Sequence, residues 1–167
     1  MPILSTKTHA KKYIEPPDLS RRMADIRLLL DTVRQVKIAV PLKKRMLVHV
    51  IWEVAKATGN FYGRYRSEGV IERGGDPIQR DHIYKKSTLV EELLSPSPDL
   101  DRVMGRALCC IVTKKEHDRL HDIDKKRDGW DRYRAAGIVV YDMLDQTRMD
   151  YQTNPRSFGC DQLSAFG

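Results

Sequence analysis

Cysteine is scarce in this chain of 167 residues. It has three cysteines, and two of them, Cys109 and Cys110, are adjacent, which is a poor basis for a disulfide framework. The sequence also begins without an apolar segment and contains no run of about 18 apolar residues, so it shows no signal peptide and no membrane-spanning helix. These absences predict a cytoplasmic protein with reduced thiols and no membrane partner.

Charge, in contrast, is abundant. Charged residues make up 32% of the chain and hydrophobic residues 41%, a balance typical of a folded protein rather than a disordered one. The net charge of +7 favours polyanionic partners such as nucleic acid. A globular protein that is merely basic fits the charge equally well, so the partner has to be inferred from particular residues.

The first half of the sequence predicts helices behind a short arm. Residues 1–17 are polar and basic and form the expected N-terminal arm, and residues 18–76 form a helical region. Apolar residues spaced by three and four predict one helix over 19–36, and Pro41 opens a second helix that ends near Thr58. The two helices could also carry a homodimer or a larger complex. The expected apolar stripe of the first helix comprises Met23, Ile26, Leu29, Leu30 and Val33.

A glycine-flanked segment, "GNFYGRYRSEG" (59–69), alternates aromatic and basic residues. Arg64 and Arg66 in this segment can bind backbone phosphates, and its tyrosines can stack on bases. The alternative is that the aromatic side chains of Phe61, Tyr62 and Tyr65 pack into the core or a turn.

The second half alternates predicted strands and helices, and the fold class is therefore α+β. Residues 77–145 contain a strand in "IQRDHIY", helices in "STLVEELL" and "DLDRVMGRALC", a buried strand in "LCCIV" and a last strand in "GIVVYDM". Thr113 and Glu116 form the S/T-x-x-E pattern of a capping box, so a helix is expected to begin there and to stop near Gly129. Residues 146–167 are expected to form an irregular tail.

Asp81, His117 and His121 are candidate metal ligands. The two histidines are four residues apart in the capped helix, which places both imidazoles on one face. Together with Asp81 they make a set of three ligands that leaves positions open for water and substrate. His82, a neutral imidazole beside such a site, is the candidate general base for hydrolysis of a phosphodiester. The candidate phosphate-binding residues are Arg64, Arg66, Arg80, Lys85 and Lys86.

Other interpretations of the same residues stay open. Successive side chains of a strand point to opposite faces, so Asp81 and His82 share a site only if the strand ends or bends between them. Otherwise Asp81 pairs with Arg80 or a helix N-terminus, and His82 is buried. Cys109 or Cys110 could instead join the two helix histidines in a structural zinc site, although a fourth ligand is missing.

These residues resemble the HNH endonuclease family, whose metal finger consists of two strands and a helix. "RDHIY" looks like the first strand with its Asp-His pair, and "LCCIVTKKEHDRLH" looks like the second strand and the helix, so the resemblance covers about 78–124. It implies N-terminal helices packed on a ββα finger with a helical insert between its strands. It also implies one divalent ion (Mg²⁺, Mn²⁺, Ni²⁺ or Zn²⁺) on Asp81, His117 and His121, with His82 as the base.

The expected function is therefore metal-dependent hydrolysis of nucleic acid, with DNA favoured over RNA as the substrate. One departure from the family keeps an alternative open. Near Leu108, where the family has an asparagine that braces the loop carrying the base, this chain has no amide side chain. The alternative is an inactive HNH-like protein that binds nucleic acid or serves as a subunit of a larger assembly.

Overall fold

A computed structural model describes residues 9–72, 76–123 and 125–151. The helices and strands of these residues belong to one mixed α+β fold, so the predicted class is confirmed. No helix in the described ranges is long and apolar enough to cross a membrane. In chain order the elements are α1 (Leu19–Gln35), α2 (Val40–Ala57), a 3₁₀ turn (Asn60–Tyr62), β1 (Tyr65–Ser67), α3 (Glu68–Glu72), β2 (Ile78–His82), α4 (Lys86–Leu94), α5 (Leu100–Arg106), β3 (Cys109–Thr113), α6 (Lys114–Asp122), α7 (Trp130–Ala135), β4 (Val140–Asp142) and β5 (Thr147–Arg148).

The first two helices begin and end within one residue of their predicted bounds. Pro41 lies in the first turn of α2, and Gly59, with φ of 118°, follows its end. Four of the five predicted stripe residues of α1 are buried, but Leu29 remains 44% exposed and the adjacent Leu28 69% exposed. Consecutive leucines on a helix face different directions, so they cannot all reach one core. A homodimer or larger complex through these two helices stays a prediction.

The segment between β2 and β3 is part of the helical core. It forms α4 and α5, which pack against α1 and α2 through side chains that are almost fully buried. Each such aliphatic side chain contributes about 1.5–3 kcal/mol when it leaves water. The largest contributors are Leu30, Val33, Leu47, Ile51, Val54, Leu89, Leu93 and Val103.

The five strands form one sheet in the order β2-β3-β1-β4-β5. β2 and β3 are antiparallel, β1 and β3 are parallel, and β4 is antiparallel to both β1 and β5. The sequence did not predict β1, which lies in the region expected to be helical and contributes Tyr65, 2% exposed, to the second core. The two predicted regions on either side of residue 76 therefore share one sheet. The tail from residue 146 was expected to be irregular, but it begins with the short strand β5. Residues 152–167 lie outside the described part.

The described part of the N-terminal arm packs on the domain. The Tyr13 amide donates to the Met143 carbonyl at 2.7 Å, and the Tyr13 side chain is 6% exposed. Arg66 donates to the carbonyls of His9 and Lys11. These bonds hold residues 9–13 against the sheet, while residues 1–8 lie outside the described part.

The capping box at the start of α6 is confirmed. Thr113 Oγ1 accepts from the Glu116 amide at 3.2 Å, and Glu116 Oε2 accepts from the Thr113 amide at 2.8 Å. The same carboxylate oxygen accepts from the Ser67 hydroxyl at 2.5 Å, which ties α6 to β1. The predicted stop at Gly129 is wrong, because α6 ends at Asp122 and Gly129 instead precedes α7. The box starts α6 directly after β3 and thereby sets the direction of its histidines.

Candidate functional site

Asp81 and His82 end β2, which is an edge strand of the sheet within the described residues. Asp81 is in register with Cys110 and His82 with Cys109, and the antiparallel pairing is not interrupted between them. Side chains alternate along a regular strand, so the two point to opposite faces. Asp81 contacts residues of α6 and α7, whereas His82 contacts α2. The structure therefore does not bring these neighbours into one site.

Asp81 is 7% exposed, and its two carboxylate oxygens have different surroundings. Oδ2 accepts hydrogen bonds from Arg132 Nη2 and from the Tyr133 hydroxyl, the latter at 2.5 Å. Arg132 Nη2 also donates to the His82 carbonyl at 2.8 Å. Oδ1 instead faces His117 Nε2 at 3.8 Å. Two donors thus hold one oxygen and leave the other directed at an imidazole.

His117 lies on the first turns of α6 and is partly buried. Burial lowers the pKa of His117 from its usual 6.5, and the Asp81 carboxylate only partly opposes this. The imidazole is therefore neutral at pH 7, which is the form that binds metal ions. The exposed His121 ring meets the His117 ring edge-on, with 4.6 Å between centroids, so the two histidines share one face as their spacing predicted.

The distance between Asp81 and His117 can be compared with that between two adjacent ligands of one zinc ion. Carboxylate and imidazole ligands bind at about 2.0–2.2 Å, and a tetrahedral angle places two such atoms about 3.3–3.6 Å apart. The observed 3.8 Å is only slightly wider. Hydrogen bonds such as those on Asp81 Oδ2 commonly orient a ligating carboxylate. No group of three histidine, cysteine or acidic side chains is arranged to hold a metal in residues 9–72, 76–123 and 125–151, so His121 is adjacent to the pair without completing a set.

His82 packs on the opposite face of β2. Its side chain is edge-on to Trp52, with 4.3 Å between ring centroids, and it bonds to the backbone of Ile51. Burial, reinforced by the charges of Lys86 and Arg80, lowers the pKa of His82 to about 4. The ring is therefore neutral at pH 7, which is one requirement of a general base. A general base must also reach the reacting water at the metal site, and the His82 ring points away from Asp81.

Three of the five predicted phosphate-binding cations are engaged within the protein. Arg64 bonds both carboxylate oxygens of Asp142, at 2.8 and 2.6 Å. Arg66 is 2% exposed and donates to four backbone carbonyls. Lys85 Nζ donates to the Lys125 carbonyl. These contacts give each of the three cations a role in holding the fold together.

Arg80 and Lys86 are held differently, by aromatic rings. The Arg80 guanidinium lies 5.0 Å from the centroid of Trp52 and 4.7 Å from that of Phe61. Lys86 Nζ lies 4.4 Å from the centroid of Trp52. Arg80 also donates to the side-chain oxygen of Asn60. Of the predicted phosphate-binding residues, these two are therefore the ones that keep charge available for a ligand.

The two adjacent cysteines do not support the zinc alternative. Cys109 and Cys110 are buried on opposite faces of β3. Burial raises the pKa of Cys109 to about 12 and that of Cys110 well above its usual value, so both are thiols at pH 7. No group of three histidine, cysteine or acidic side chains within residues 9–72, 76–123 and 125–151 could hold a metal, so neither cysteine joins the two helix histidines in a zinc site there.

Arg132 and Tyr133 are site residues that the sequence did not reveal. They lie in "GWDRYR", more than 50 residues after Asp81. The available signal is an arginine next to aromatic residues in a short helix, because a buried arginine needs acceptors for its donors and a carboxylate is a frequent one. That signal does not say which carboxylate is the partner.

No protein-family model, curated protein or solved structure matches this chain. Its function is therefore inferred from the side chains described above.

Proposed function

We propose that the chain is a metal-dependent endonuclease whose site is built on Asp81 and His117. The observation that carries the proposal is the 3.8 Å approach of Asp81 Oδ1 to His117 Nε2. The first side chain comes from β2 and the second from the helix that directly follows β3, the antiparallel partner of β2. This order of strand, strand and helix is the order expected from the HNH resemblance.

The chain's own residues would prepare this pair for binding. Arg132 and the Tyr133 hydroxyl hold Asp81 by Oδ2, so Oδ1 stays directed at His117. A divalent ion held there would polarise a phosphate oxygen and offset charge on the leaving oxygen. Mg²⁺ in particular is commonly bound by few protein side chains, with water and substrate phosphates as the other ligands.

His82 remains the predicted general base only if its ring can reach the phosphate held at the Asp81–His117 pair. Its ring would have to leave Trp52 and turn towards the Asp81 face of β2 to reach the same phosphate. A positioned base contributes about 10²–10⁴-fold to the rate. The rate of a His82→Ala variant therefore tells whether the site uses this base.

Non-catalytic binding of nucleic acid is the second candidate function. It is favoured by the ion pair between Asp81 and Arg132, because the guanidinium neutralises the carboxylate and competes with a metal ion for it. The absence of an amide side chain near Leu108 points the same way. In this case the affinity for nucleic acid should fall steeply with salt, while no strand is cut.

The test measures metal binding and cleavage on the same proteins. Wild type and His117→Ala are titrated with Mn²⁺ by calorimetry, and both are incubated with plasmid DNA and with RNA in Mg²⁺, Mn²⁺, Ni²⁺ or Zn²⁺. His49→Ala is the control, since His49 is an exposed histidine of α2. Wild type and the control should bind Mn²⁺ and cut, and a chelator should stop the cutting. His117→Ala should bind Mn²⁺ at least about tenfold more weakly and lose cleavage.

Absence of cutting by wild type with every metal would refute the endonuclease proposal. Salt-dependent binding without cutting would select the second function. Equal cutting by His117→Ala would move the reaction away from the Asp81–His117 pair.

A further inference from the structure

A second cluster of side chains lies on the face of β2 opposite Asp81. Arg80 lies over Trp52 and Phe61, Lys86 lies over Trp52, and the His82 ring meets Trp52 edge-on. These five residues are called the Trp52 cluster below. They come from α2, the 3₁₀ turn, β2 and α4, so four elements of the fold fix their positions.

Among the described residues, the two cations of the Trp52 cluster have no acidic partner. Neither Arg80 nor Lys86 forms an ion pair with any residue that the structure describes, and each packs on an aromatic ring. Lys44, on the same helix as Trp52, is by contrast paired with Glu91 at 2.6 Å. Two neighbouring positive charges that lack a counter-charge favour the approach of an anion.

The cluster also contains a buried polar atom that makes no hydrogen bond. His82 is 7% exposed, and its Nε2 has no partner within the described segments. An unsatisfied buried polar atom costs about 1–3 kcal/mol. Because the neutral ring already donates to the Ile51 backbone, its Nε2 is an acceptor, and a water molecule bound together with a ligand would remove this cost by donating to it. This observation is independent of the charges of Arg80 and Lys86.

We propose that the Trp52 cluster binds a phosphate group and that a nucleic-acid backbone supplies it. Arg80 and Lys86 donate to the anionic oxygens, and the aromatic rings hold both cations in place before the ligand arrives. The choice of nucleic acid as the source of the phosphate rests on the proposed function, whereas the phosphate site itself does not. Because Arg80 and Asp81 are consecutive on an edge strand, the phosphate site lies across β2 from the Asp81–His117 pair.

The test compares variants that each lose one positive charge, so all three have the same net charge, one unit below that of wild type. Binding of a short fluorescent DNA strand is measured by anisotropy, with chelator present and at several salt concentrations. Arg80→Gln and Lys86→Met should each weaken binding about tenfold and lower the salt slope by about 0.7. Lys44→Met removes the same charge outside the cluster and should stay within about twofold of wild type. Methionine keeps an apolar stem on the Trp52 ring, and circular dichroism establishes that each variant is folded.

An equal loss of DNA affinity in all three variants would mean that DNA is attracted by the overall positive charge, and it would overturn the proposal. Unchanged DNA affinity in both cluster variants would also overturn it. A second titration, with inorganic phosphate, follows the ring signals of His82 by NMR. If wild type binds inorganic phosphate but not DNA, and the cluster variants lose phosphate binding, the phosphate site is supported and nucleic acid is ruled out as the source of the phosphate. Binding of neither ligand by wild type would overturn the site. Since chelator is present throughout, these outcomes do not depend on whether the protein cuts DNA.

Discussion

Replacing Arg132 by methionine tests the contact that organises the candidate site. Arg132 is 9% exposed and donates to two acceptors through one nitrogen, Asp81 Oδ2 and the His82 carbonyl. In the Arg132→Met variant the Asp81 carboxylate, itself 7% exposed, would keep the Tyr133 hydroxyl as a donor. It would lose its positive partner while remaining buried.

The magnitude follows from the two bonds and the charge. A hydrogen bond to a charged group contributes about 1.5–3 kcal/mol and one to a carbonyl about 0.5–1.5 kcal/mol. Breaking a buried ion pair from one side typically costs about 3–5 kcal/mol, because the remaining charge is uncompensated. The bond from Tyr133 that remains places Arg132→Met at the lower end, at about 3 kcal/mol. For a chain of this size, that corresponds to a Tm lower by about 6–12 °C.

Urea unfolding followed by circular dichroism provides the measurement. Arg134→Met is the control, since Arg134 lies on the same helix but bonds Asp131 at the surface, and its loss should stay below about 1 kcal/mol. A double variant, Asp81→Asn with Arg132→Met, removes both charges and should be more stable than the sum of the single changes predicts. A loss below about 1 kcal/mol for Arg132→Met, or strict additivity in the double variant, would refute the reasoning.

Three further changes test other parts of the structure. Gly129→Ala should cost more than Gly137→Ala in thermal unfolding, because both have φ near +60° but only at Gly129 would a Cβ meet the Tyr84 ring, at 2.7 Å. Glu116→Gln weakens the capping box and should cost about 1–3 kcal/mol in urea unfolding. The pKa of His82 is about 4 in the folded protein against 6.5 unfolded, so the unfolded chain binds more protons between these values. With chelator present, His82 alone should therefore account for about 3 kcal/mol of lost stability as pH falls from 6.5 to 4, and His82→Gln should lose about that much less than wild type over the same range.

Helix positions could be predicted where local signals agree. The bounds of α1 and α2 followed from apolar spacing, Pro41 and Gly59, and the start of α6 followed from Thr113 and Glu116. These signals act within a few residues, so a single sequence contains them completely. The strand β1 was missed because three residues are too short for alternation to be visible.

The candidate site could be predicted only in part, since its contacts connect distant segments. The spacing of His117 and His121 predicted a shared face correctly, because both lie on one helix. Arg66 was expected to bind phosphate, but its donors meet four carbonyls that become neighbours only in the folded chain. Arg132 likewise reaches Asp81 across 51 residues. Nothing in the local sequence specifies such pairings.

The alternation along β2 determines what any catalytic use of His82 would require. The peptide group that joins His82 to Ile83 is held from both sides, because the His82 carbonyl accepts from Arg132 at 2.8 Å and the Ile83 amide donates to the Leu108 carbonyl at 3.1 Å. Turning the His82 ring to the Asp81 face would have to break at least one of these bonds and remove the ring from Trp52. Arg132→Met removes one of them. If His82 is the base, Arg132→Met should still cut nucleic acid although it is less stable, and adding His82→Ala to it should lower the cleavage rate. Equal cleavage rates with and without His82 would mean that this histidine acts only in the Trp52 cluster.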